Sequence, residues 1–474
     1  PLVGAVIVKN HVVLAKGYHH QFGTAHAEID ALQHLDDLNQ ARGATMYVTL
    51  EPCSHFGKTQ PIEKRAEKLQ ALADEFKNNI DYYARFATTN MGKLFKESQA
   101  EVQKTADFAE YYVQNGAAAL ADVIYNDAPG IKAHVEYQSI GTVLMIEPWN
   151  FPYTQIMRVF APNFIAGNPI LLKDPSIIPQ CAQAFEEATL KVGIPTGAFK
   201  NLFINYDQVS HIIGDNRVQG VALTGSEGAG KKIASEAGAN LKKSTMELGG
   251  TDAFVVLKDA DLKKAIKVGA NARLNNAGQV CTAAKRFIVQ EDIYDAFLEG
   301  LSQKFAERRL GDPLDPETTL APLSSKSAQE KLQKQVNMAL AGGAELLWGK
   351  NTPIKGPGAC FNPLIISGMK PDNPMYDQEL FGPVAQIYKV KDAEEAVEIA
   401  NASQHGLGGT VFSKNLEKAE WVASKIETGQ VAINQLLTSY PHIPFGGVKF
   451  SGYGRELSDL GIREFINAKT IIDN

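Results

Sequence analysis

The regular alternation of apolar strands and amphipathic helices from Gly141 onward constrains the fold of this chain more than any other feature. The segments GTVLMI, NPILLK and GVALTGS have the apolar runs of buried strands, and stretches with helical spacing follow them. Strands that alternate with helices in this way form parallel sheets covered by helices on both faces. The sequence therefore predicts an α/β fold with a doubly wound parallel sheet, followed by a second α/β segment from Ala253 to about Leu437.

Length and composition limit the class of protein. The chain has 474 residues, a net charge of −6 and four widely scattered cysteines. It is too long for one ordinary core, so we expect two or three domains. The charge balance gives no broad cationic surface, and no apolar run approaches the roughly 20 residues of a bilayer span, so we expect neither nucleic acid nor membrane as a partner. Scattered cysteines suit a reducing compartment, which predicts a cytoplasmic protein.

The first 62 residues differ in texture from the rest. Strands are predicted at Val3–Val8 and Val12–Ala15, a helix from Ala27 to about Leu38, and a strand at Met46–Leu50. The motifs AHAEIDAL (25–32) and TLEPCSHFGKTQPI (49–62) resemble the deaminase part of the bifunctional riboflavin-biosynthesis enzymes.

That resemblance implies a zinc site with His26 and Cys53 as ligands and Glu28 as the proton shuttle. The family places a second cysteine where this chain has Ile62, and two protein ligands are too few for a tight catalytic zinc. We therefore expect residues 1–62 to be an incomplete deaminase-like fragment in which the three polar residues are remnants and no metal is bound.

From about residue 63 to the end, the chain resembles the NAD(P)-dependent aldehyde dehydrogenases, and most of all their succinate-semialdehyde dehydrogenase branch. The resemblance is carried by six motifs in order: PWNFP (148–152), LTGSEGAG (223–230), MELGG (246–250), NNAGQVCTAAKR (275–286), ELFGPV (379–384) and PFGGVKFSGYGRE (444–456). It implies a dinucleotide-binding domain at 63–250 with 443–461, a catalytic domain at 251–442, and an oligomerisation arm at 127–141 and 462–474. Exposed strand edges tend to find partners, so we expect a homodimer or homotetramer.

The chemistry of aldehyde oxidation assigns roles to three residues. Hydride transfer from an aldehyde needs a tetrahedral carbon first, and a thiolate can make it. The resemblance implies that Cys281 is this nucleophile, that the Asn150 side chain and the Cys281 N–H stabilise the oxyanion, and that Glu247 is the general base for thioester hydrolysis.

The strand, turn and helix start in GVALTGSEGAG suit a pyrophosphate. The cofactor contacts implied by the resemblance are Trp149, Lys173, Ser176, Gly225, Ser226, Glu379 and Phe381. Ser176 occupies the position where many NAD-preferring members carry an acidic residue, so a 2′-phosphate would not be repelled. The cofactor is thus NAD or NADP.

The substrate prediction depends on the helix after Asn150. Gln155 and Arg158 are three residues apart and share one helix face, and an arginine is costly to bury without an anionic partner. A bidentate contact to a substrate carboxylate would supply one, which predicts a short aldehyde acid such as succinate semialdehyde. Ser439 and Tyr440 are expected at the mouth of the substrate tunnel.

Three alternatives stay open at this point. Arg158 could instead pair with an acidic residue of the protein. The chain as a whole could be a zinc-dependent pyrimidine deaminase of riboflavin biosynthesis, or a dehydrogenase that binds cofactor without turnover.

Overall fold

The computed structural model describes residues 4–10, 12–18, 27–35, 37–48, 61–125, 132–354 and 358–473. The chain forms two compact units, Pro1–Arg65 and Ala66–Asn474.

The first unit is a small three-stranded sheet with a helix. Its elements are β1 (Gly4–Lys9), β2 (Val12–Tyr18), α1 (Ala27–Gln33) and β3 (Thr45–Val48). The strands are antiparallel in the order β2-β1-β3, and alanines of the sheet and of α1 form the core together with Ile7. The predicted helix ends earlier than expected, and a 3-10 helix at Leu38–Ala41 follows it. Glu28 lies in α1, whereas His26 and Cys53 lie outside the described residues.

Thirteen α-helices lie between Ile62 and Arg463 in the described part of the chain. They are α2 (Ile62–Asn78), α3 (Ile80–Met91), α4 (Phe95–Ala119), α5 (Pro152–Ala166), α6 (Pro179–Lys191), α7 (Tyr206–Gly214), α8 (Glu227–Ala239), α9 (Leu262–Leu274), α10 (Tyr294–Ala306), α11 (Lys326–Ala341), α12 (Ala393–Asn401), α13 (Leu416–Lys425) and α14 (Ser458–Arg463). Within these helices and α1, none is long and apolar enough to cross a membrane.

The strands of the second unit complete the architecture. They are β4 (Val123–Tyr125), β5 (Lys132–Ser139), β6 (Thr142–Ile146), β7 (Ile170–Lys173), β8 (Phe199–Leu202), β9 (Val218–Thr224), β10 (Lys243–Glu247), β11 (Ala253–Val256), β12 (Arg286–Gln290), β13 (Glu345–Trp348), β14 (Leu364–Ser367), β15 (Val384–Val390), β16 (His405–Gly406), β17 (Gly408–Phe412), β18 (Gln430–Ile433), β19 (Val448–Lys449), β20 (Gly452–Tyr453) and β21 (Ile466–Asp473).

The predicted doubly wound parallel sheet is confirmed. Its six strands have the order β20-β10-β9-β6-β7-β8, and all pairs are parallel except β10 with β20. Because carboxyl ends of parallel strands meet at one edge, Glu147 after β6, Lys173 at the end of β7 and Glu247 at the end of β10 share that edge. Ligands of open α/β sheets bind outside this edge.

Three further sheets follow in the described part of this unit, and the smallest pairs β16 with β19. A seven-stranded sheet has the order β13-β14-β15-β12-β11-β17-β18, in which only the edge strand β13 is antiparallel to its neighbour. The strands β21, β5 and β4 form a separate antiparallel sheet, and β21 pairs with β5 over the full eight residues. The strands β5 and β21 lie within the segments 127–141 and 462–474 that were expected to form the arm, and Ile472 is 71% exposed there. An oligomeric role for this sheet stays a prediction.

Candidate active site

Asn150 is held in place by a buried ion pair at the start of α5. The Glu101 carboxylate in α4 accepts hydrogen bonds from the backbone N–H groups of Tyr153 (2.9 Å) and Thr154 (3.3 Å). Lys93 Nζ lies 2.5 Å from Glu101 Oε2 and donates to the Asn150 carbonyl oxygen at 3.2 Å. A carboxylate is favoured at a helix N-terminus, where first-turn N–H groups lack partners. The pair therefore fixes both the start of α5 and the backbone of Asn150.

The same asparagine is tied to the loop that carries Cys281. Asn150 Nδ2 donates to the Gln279 carbonyl oxygen at 3.0 Å, and Asn276 Nδ2 donates to the Asn150 carbonyl oxygen at 3.1 Å. Asn276 and Ala277 have left-handed backbones with φ of 48° and 54°. Such backbones are costly for residues other than glycine, although asparagine tolerates them better than alanine. This turn after α9 brings the Cys281 loop against the α5 N-terminus.

Cys281 is partly buried and its thiol is free. Burial raises the pKa of the Cys281 thiol to about 11, although the nearby charges of Lys285 and Arg158 favour the thiolate. The thiol is therefore protonated at neutral pH, and a nucleophilic role requires a group that accepts its proton.

Lys285 contacts the carbonyl groups of the loop that carries Cys281. Its Nζ donates to the Val280 carbonyl oxygen at 3.0 Å and to that of Cys281, and it lies 2.9 Å from Glu379 Oε1. A side chain at Gly249 would collide with the Glu379 carboxylate. The ammonium thus links the proposed nucleophile to the acidic residue predicted to bind the nicotinamide ribose.

Sequence reasoning gave Lys285 no role, although the residue lies inside the NNAGQVCTAAKR motif. Neither helical nor strand periodicity relates it to Glu379, which is 94 positions away. The only signal was a lysine beside the expected cysteine, and one sequence does not say where such a side chain points.

Glu247 is enclosed at the end of β10. Its side chain is 3% exposed, and neither carboxyl oxygen has a hydrogen-bond partner among the described residues. Burial and the neighbouring Glu456 raise the pKa of Glu247 well above its usual range, and Arg158 only partly opposes this. A Cβ at Gly446 would stand 2.6 Å from Glu247 Oε1. A residue with a side chain at this position would therefore collide with the Glu247 carboxyl group.

Arg158 pairs with the protein itself, which is the alternative that the sequence left open. Its Nη2 lies 2.5 Å from Glu456 Oε2, close enough for an ion pair but without the alignment of a hydrogen bond. The guanidinium also lies over the Phe445 ring at 4.1 Å. Burial raises the pKa of Glu147 and of Glu456 as well. The positive charge of Arg158 opposes this rise at all three buried carboxyl groups, those of Glu147, Glu247 and Glu456. Its role toward a substrate stays a prediction.

The remaining substrate candidates lie on α5 and on the loop after β18. Gln155 is buried, and its Oε1 has no hydrogen-bond partner within the described ranges. The loop with Ser439 and Tyr440 is anchored at its ends: Asn434 exchanges two hydrogen bonds with Ser413, and the Ser458 N–H donates to the carbonyl oxygen of Pro441. Ser439 is half-buried and Tyr440 is 40% exposed.

The predicted phosphate site lies at the start of α8. The Gly225 N–H is bonded to the Glu247 carbonyl oxygen, and Ser226 caps the helix by accepting a hydrogen bond from the Ala229 N–H. A Cβ at Gly228 would meet no atom within 4 Å. The first-turn N–H groups and this open space fit a phosphate, because helix N-termini attract anions.

Lys173 lies at the end of β7. Its Nζ donates to the Asp174 carbonyl oxygen at 2.7 Å and lies 5.2 Å from the centre of the Tyr206 ring. Ser176 is exposed in the following turn. The Asp174 carboxyl group, which the sequence reasoning did not consider, has a pKa raised by burial to about 7. It is thus partly neutral near pH 7, which weakens its repulsion of a nearby phosphate.

Trp149 and Phe381 form an edge-to-face pair with ring centres 5.8 Å apart. The contact joins the residue before Asn150 to the segment after Glu379. These are the two aromatic side chains predicted to line the nicotinamide pocket, and the pair places them on one surface.

The metal prediction concerns residues that the structure leaves out. No group of three or more histidine, cysteine, aspartate or glutamate side chains suited to a metal occurs in the described ranges. His26 and Cys53 lie outside those ranges. The expected absence of zinc therefore stays a prediction.

Comparison with known proteins identifies both parts of the chain. The aldehyde dehydrogenase family model matches residues 54–471, and the model of the cytidine and deoxycytidylate deaminase zinc-binding region matches residues 1–64. Both resemblances expected from the motifs are confirmed.

Individual relatives agree with the larger match. The chain is 44% identical over 412 residues to an NADP(+) succinate-semialdehyde dehydrogenase of Deinococcus radiodurans, covering 87% of this chain and 86% of the relative. A protein of the same description from Mycolicibacterium paratuberculosis is 42% identical over 410 residues, covering 86% of this chain and 87% of the relative.

Among solved structures, succinic semialdehyde dehydrogenase from Streptococcus pyogenes in complex with NADP+ is 53% identical, with a TM-score of 0.86 over 87% of this chain and 90% of that chain. The predicted fold is thereby confirmed, and the chain belongs to the aldehyde dehydrogenase family.

Proposed function

We propose that this aldehyde-oxidising enzyme converts a short aldehyde acid, such as succinate semialdehyde, to the corresponding diacid with NADP. The observation that carries the proposal is the hydrogen bond from Asn150 Nδ2 to the Gln279 carbonyl oxygen, which places a side-chain amide beside the Cys281 loop. The substrate and cofactor named for the relatives from Deinococcus radiodurans and Streptococcus pyogenes support the same choice.

In this proposal Cys281 attacks the aldehyde carbon, and its thiol proton leaves to a nearby base. The oxyanion accepts one hydrogen bond from the second N–H of Asn150 Nδ2 and another from the Cys281 N–H. The cofactor site would supply a hydride acceptor, NADP, for the resulting tetrahedral carbon. The acyl group is then a thioester of Cys281, and Glu247 takes a proton from the water that hydrolyses it. The net products are the carboxylic acid, the reduced cofactor and a proton, and the Cys281 thiol is regenerated.

The residues present fit the cofactor. The start of α8 offers first-turn N–H groups and open space to the pyrophosphate, next to the predicted contacts Gly225 and Ser226. Lys173 and the exposed Ser176 would hold the adenine ribose and its 2′-phosphate. Glu379 would hold the nicotinamide ribose, and Trp149 and Phe381 would wall the pocket. NAD remains the second cofactor to measure.

The proposed substrate class is supported by polar groups that can still form hydrogen bonds to a ligand. The Gln155 amide oxygen has no partner among the described residues, and Ser439 and Tyr440 lie on the loop expected at the tunnel mouth. Arg158 adds positive charge, part of which Glu456 neutralises.

Two substitutions test the thiol mechanism. Cys281→Ala should abolish aldehyde oxidation and leave NADP binding intact, whereas Glu247→Gln should still form the thioester and stall its hydrolysis. The second variant should therefore give one rapid equivalent of reduced cofactor followed by slow turnover in stopped-flow absorbance. Cys360→Ala is the matched control, because this thiol is also partly buried and belongs to none of the motifs. Near-normal turnover by Cys281→Ala would rule out the mechanism.

A further inference from the structure

His405 is a buried histidine that lies between two carboxyl groups from different parts of the second unit. It is 9% exposed. Its Nε2 lies 3.4 Å from Glu227 Oε2, and its Nδ1 lies 3.5 Å from Asp377 Oδ1. The Nδ1 atom has no hydrogen-bond partner among the described residues. Each ring nitrogen therefore faces an acidic group at a distance that allows an ion pair.

The two acidic residues belong to opposite ends of the predicted cofactor site. Glu227 is the first residue of α8 and directly follows Ser226, a predicted phosphate contact. Asp377 lies two positions before Glu379, the residue predicted to hold the nicotinamide ribose. The imidazole of His405 thus connects the helix start that faces the pyrophosphate with the loop that faces the nicotinamide end.

The backbone around His405 is held in place by hydrogen bonds. The Gly406 N–H donates to Ser451 Oγ at 3.0 Å, and Ser451 Oγ donates to the Gly249 carbonyl oxygen at 2.7 Å. His405 and Gly406 also pair with β19 as the short strand β16. The imidazole is therefore a fixed point between the two carboxyl groups.

The two carboxyl groups differ in their other partners. Asp377 accepts hydrogen bonds from Ser403 Oγ at 2.5 Å and from the Gln404 N–H at 3.0 Å, so its position is already defined. Glu227 pairs with Lys231 at 2.5 Å, and this lysine belongs to the same helix. The imidazole is thus the group that joins α8 to the loop of Asp377 through these carboxyl groups.

Three basic groups surround this bridge, and each has partners of its own. Lys231 is paired within α8, and Lys449, which lies opposite the histidine on β19, has its Nζ 2.6 Å from Glu427 Oε2. Arg286 donates to three backbone carbonyl groups, and Asp377 is among the groups that oppose the lowering of its pKa by burial. Protonation of the imidazole therefore changes the charge of the bridge while these cations keep theirs.

Histidine is the side chain that most readily gains or loses a charge between pH 5 and 8. An imidazolium has two N–H donors, one for each carboxylate, whereas a neutral imidazole has one donor and one acceptor. In the neutral form, one of the two carboxylates faces a nitrogen that cannot donate to it. A rise in pH therefore releases one end of the bridge, because hydrogen bonds between charged groups are the stronger ones.

We propose that His405 is a positioning residue that, when protonated, ties the start of α8 to the loop that carries Glu379, so that the cofactor binds more tightly at low pH. This inference rests on the cofactor site of the proposed function. It adds a dependence on pH that comes from a group outside the predicted cofactor contacts.

The experiment measures the Kd of NAD at pH 6 and at pH 8 by the quenching of tryptophan fluorescence in the full chain. NAD is the probe because it lacks the 2′-phosphate, a group that itself changes charge near pH 6. The ratio of Kd at pH 8 to Kd at pH 6 should be about 3- to 10-fold larger in the wild type than in His405→Gln, as expected for one net hydrogen bond. Asp174 titrates in both proteins, so its effect cancels in this comparison.

His211→Gln is the matched control, because His211 is an exposed histidine of α7, and it should keep the wild-type ratio. Glu227→Gln removes one end of the bridge and should lower the ratio as His405→Gln does. This second variant separates a bridge from a direct attraction between the imidazolium and the cofactor.

A wild-type ratio in Glu227→Gln would assign the effect to direct attraction and would overturn the bridge. A loss of affinity in His405→Gln that is equal at both pH values would assign a merely structural role to the histidine and would also overturn the proposal. If the wild type binds neither NAD nor NADP at either pH, the proposed function fails, and that outcome is visible before any variant is compared.

Discussion

At the scale of single residues, the site is governed by groups whose charge the protein controls by burial. The Cys281 thiol and the Glu247 carboxyl group both have raised pKa values, and burial is the largest cause for each of them. Lys285 is the charge that most strongly opposes this rise in the pKa of the thiol. Reactivity of the thiol is therefore expected to depend on pH and on this lysine.

Alkylation of Cys281 tests that expectation. A thiol whose pKa is about 11 is mostly protonated below that pH, so its rate of reaction with iodoacetamide should still be rising above pH 9. Lys285→Met removes a charge that favours the thiolate, and should slow the reaction at each pH. Mass spectrometry of the Cys281 peptide gives the rate, with the Cys360 peptide as internal reference. A plateau already reached near pH 7 would contradict the account.

The Arg158–Glu456 pair gives a second prediction. Removing one member of a buried pair strands the other charge and typically costs about 3–5 kcal/mol. Arg158→Met should lower the urea midpoint and reduce turnover of succinate semialdehyde and butanal alike. The double variant Arg158→Met with Glu456→Gln should regain much of the stability. A rise in KM confined to succinate semialdehyde would instead assign Arg158 to substrate binding.

At the scale of elements, the periodicity of apolar residues predicted the strands and helices of the parallel sheet and missed a break within a helical segment. The alternation after Gly141 was sufficient for the parallel sheet, because apolar strands and helical spacing are both visible in one sequence. Apolar residues recur at helical spacing from Glu63 to Ala87, which predicts one long helix, but the structure breaks it between α2 and α3 at Asn79, whose side chain donates to the Glu75 carbonyl oxygen. The apolar spacing runs through this break, so the pattern could not reveal it.

The candidate site likewise divides into residues that a sequence motif reveals and residues that only tertiary packing brings in. Cys281, Glu247 and Asn150 lie in contiguous motifs and could be named from the sequence, although their roles remain proposals. Their partners come from distant elements, such as Glu379 for Lys285 and Glu456 for Arg158. Such pairs are set by tertiary packing.

The left-handed turn before Cys281 is the element whose geometry matters most for Asn150. Asn276→Gly keeps the backbone freedom and loses the side-chain bond to the Asn150 carbonyl oxygen, whereas Asn276→Ala loses the bond and also strains the backbone at φ 48°. Both should lower kcat, and the alanine variant should unfold about 1–2 kcal/mol more easily than the glycine variant in urea. Equal stabilities would show that the turn carries no such strain.

At the scale of the whole molecule, the chain joins a deaminase-like unit to an aldehyde dehydrogenase. The two motif sets require different residues. A catalytic zinc needs at least three protein ligands, whereas thiol chemistry needs a nucleophilic cysteine and no metal ligand. Ile62 begins α2 where the deaminase pattern requires a ligand.

Elemental analysis of the purified protein addresses the first unit. We expect no stoichiometric zinc, because His26 and Cys53 alone would bind it weakly. About one zinc per chain that disappears in His26→Ala would show that other residues complete the site, and would revive the deaminase alternative.

The central claim, oxidation of an aldehyde acid with NADP, is tested most directly by a steady-state assay of the unmodified chain. Protein, succinate semialdehyde and NADP are mixed, and the absorbance of NADPH and the amount of succinate are followed together. The account predicts equal amounts of NADPH and succinate, and a kcat/KM well above that for butanal. Tight NADP binding without NADPH formation from either aldehyde would contradict it.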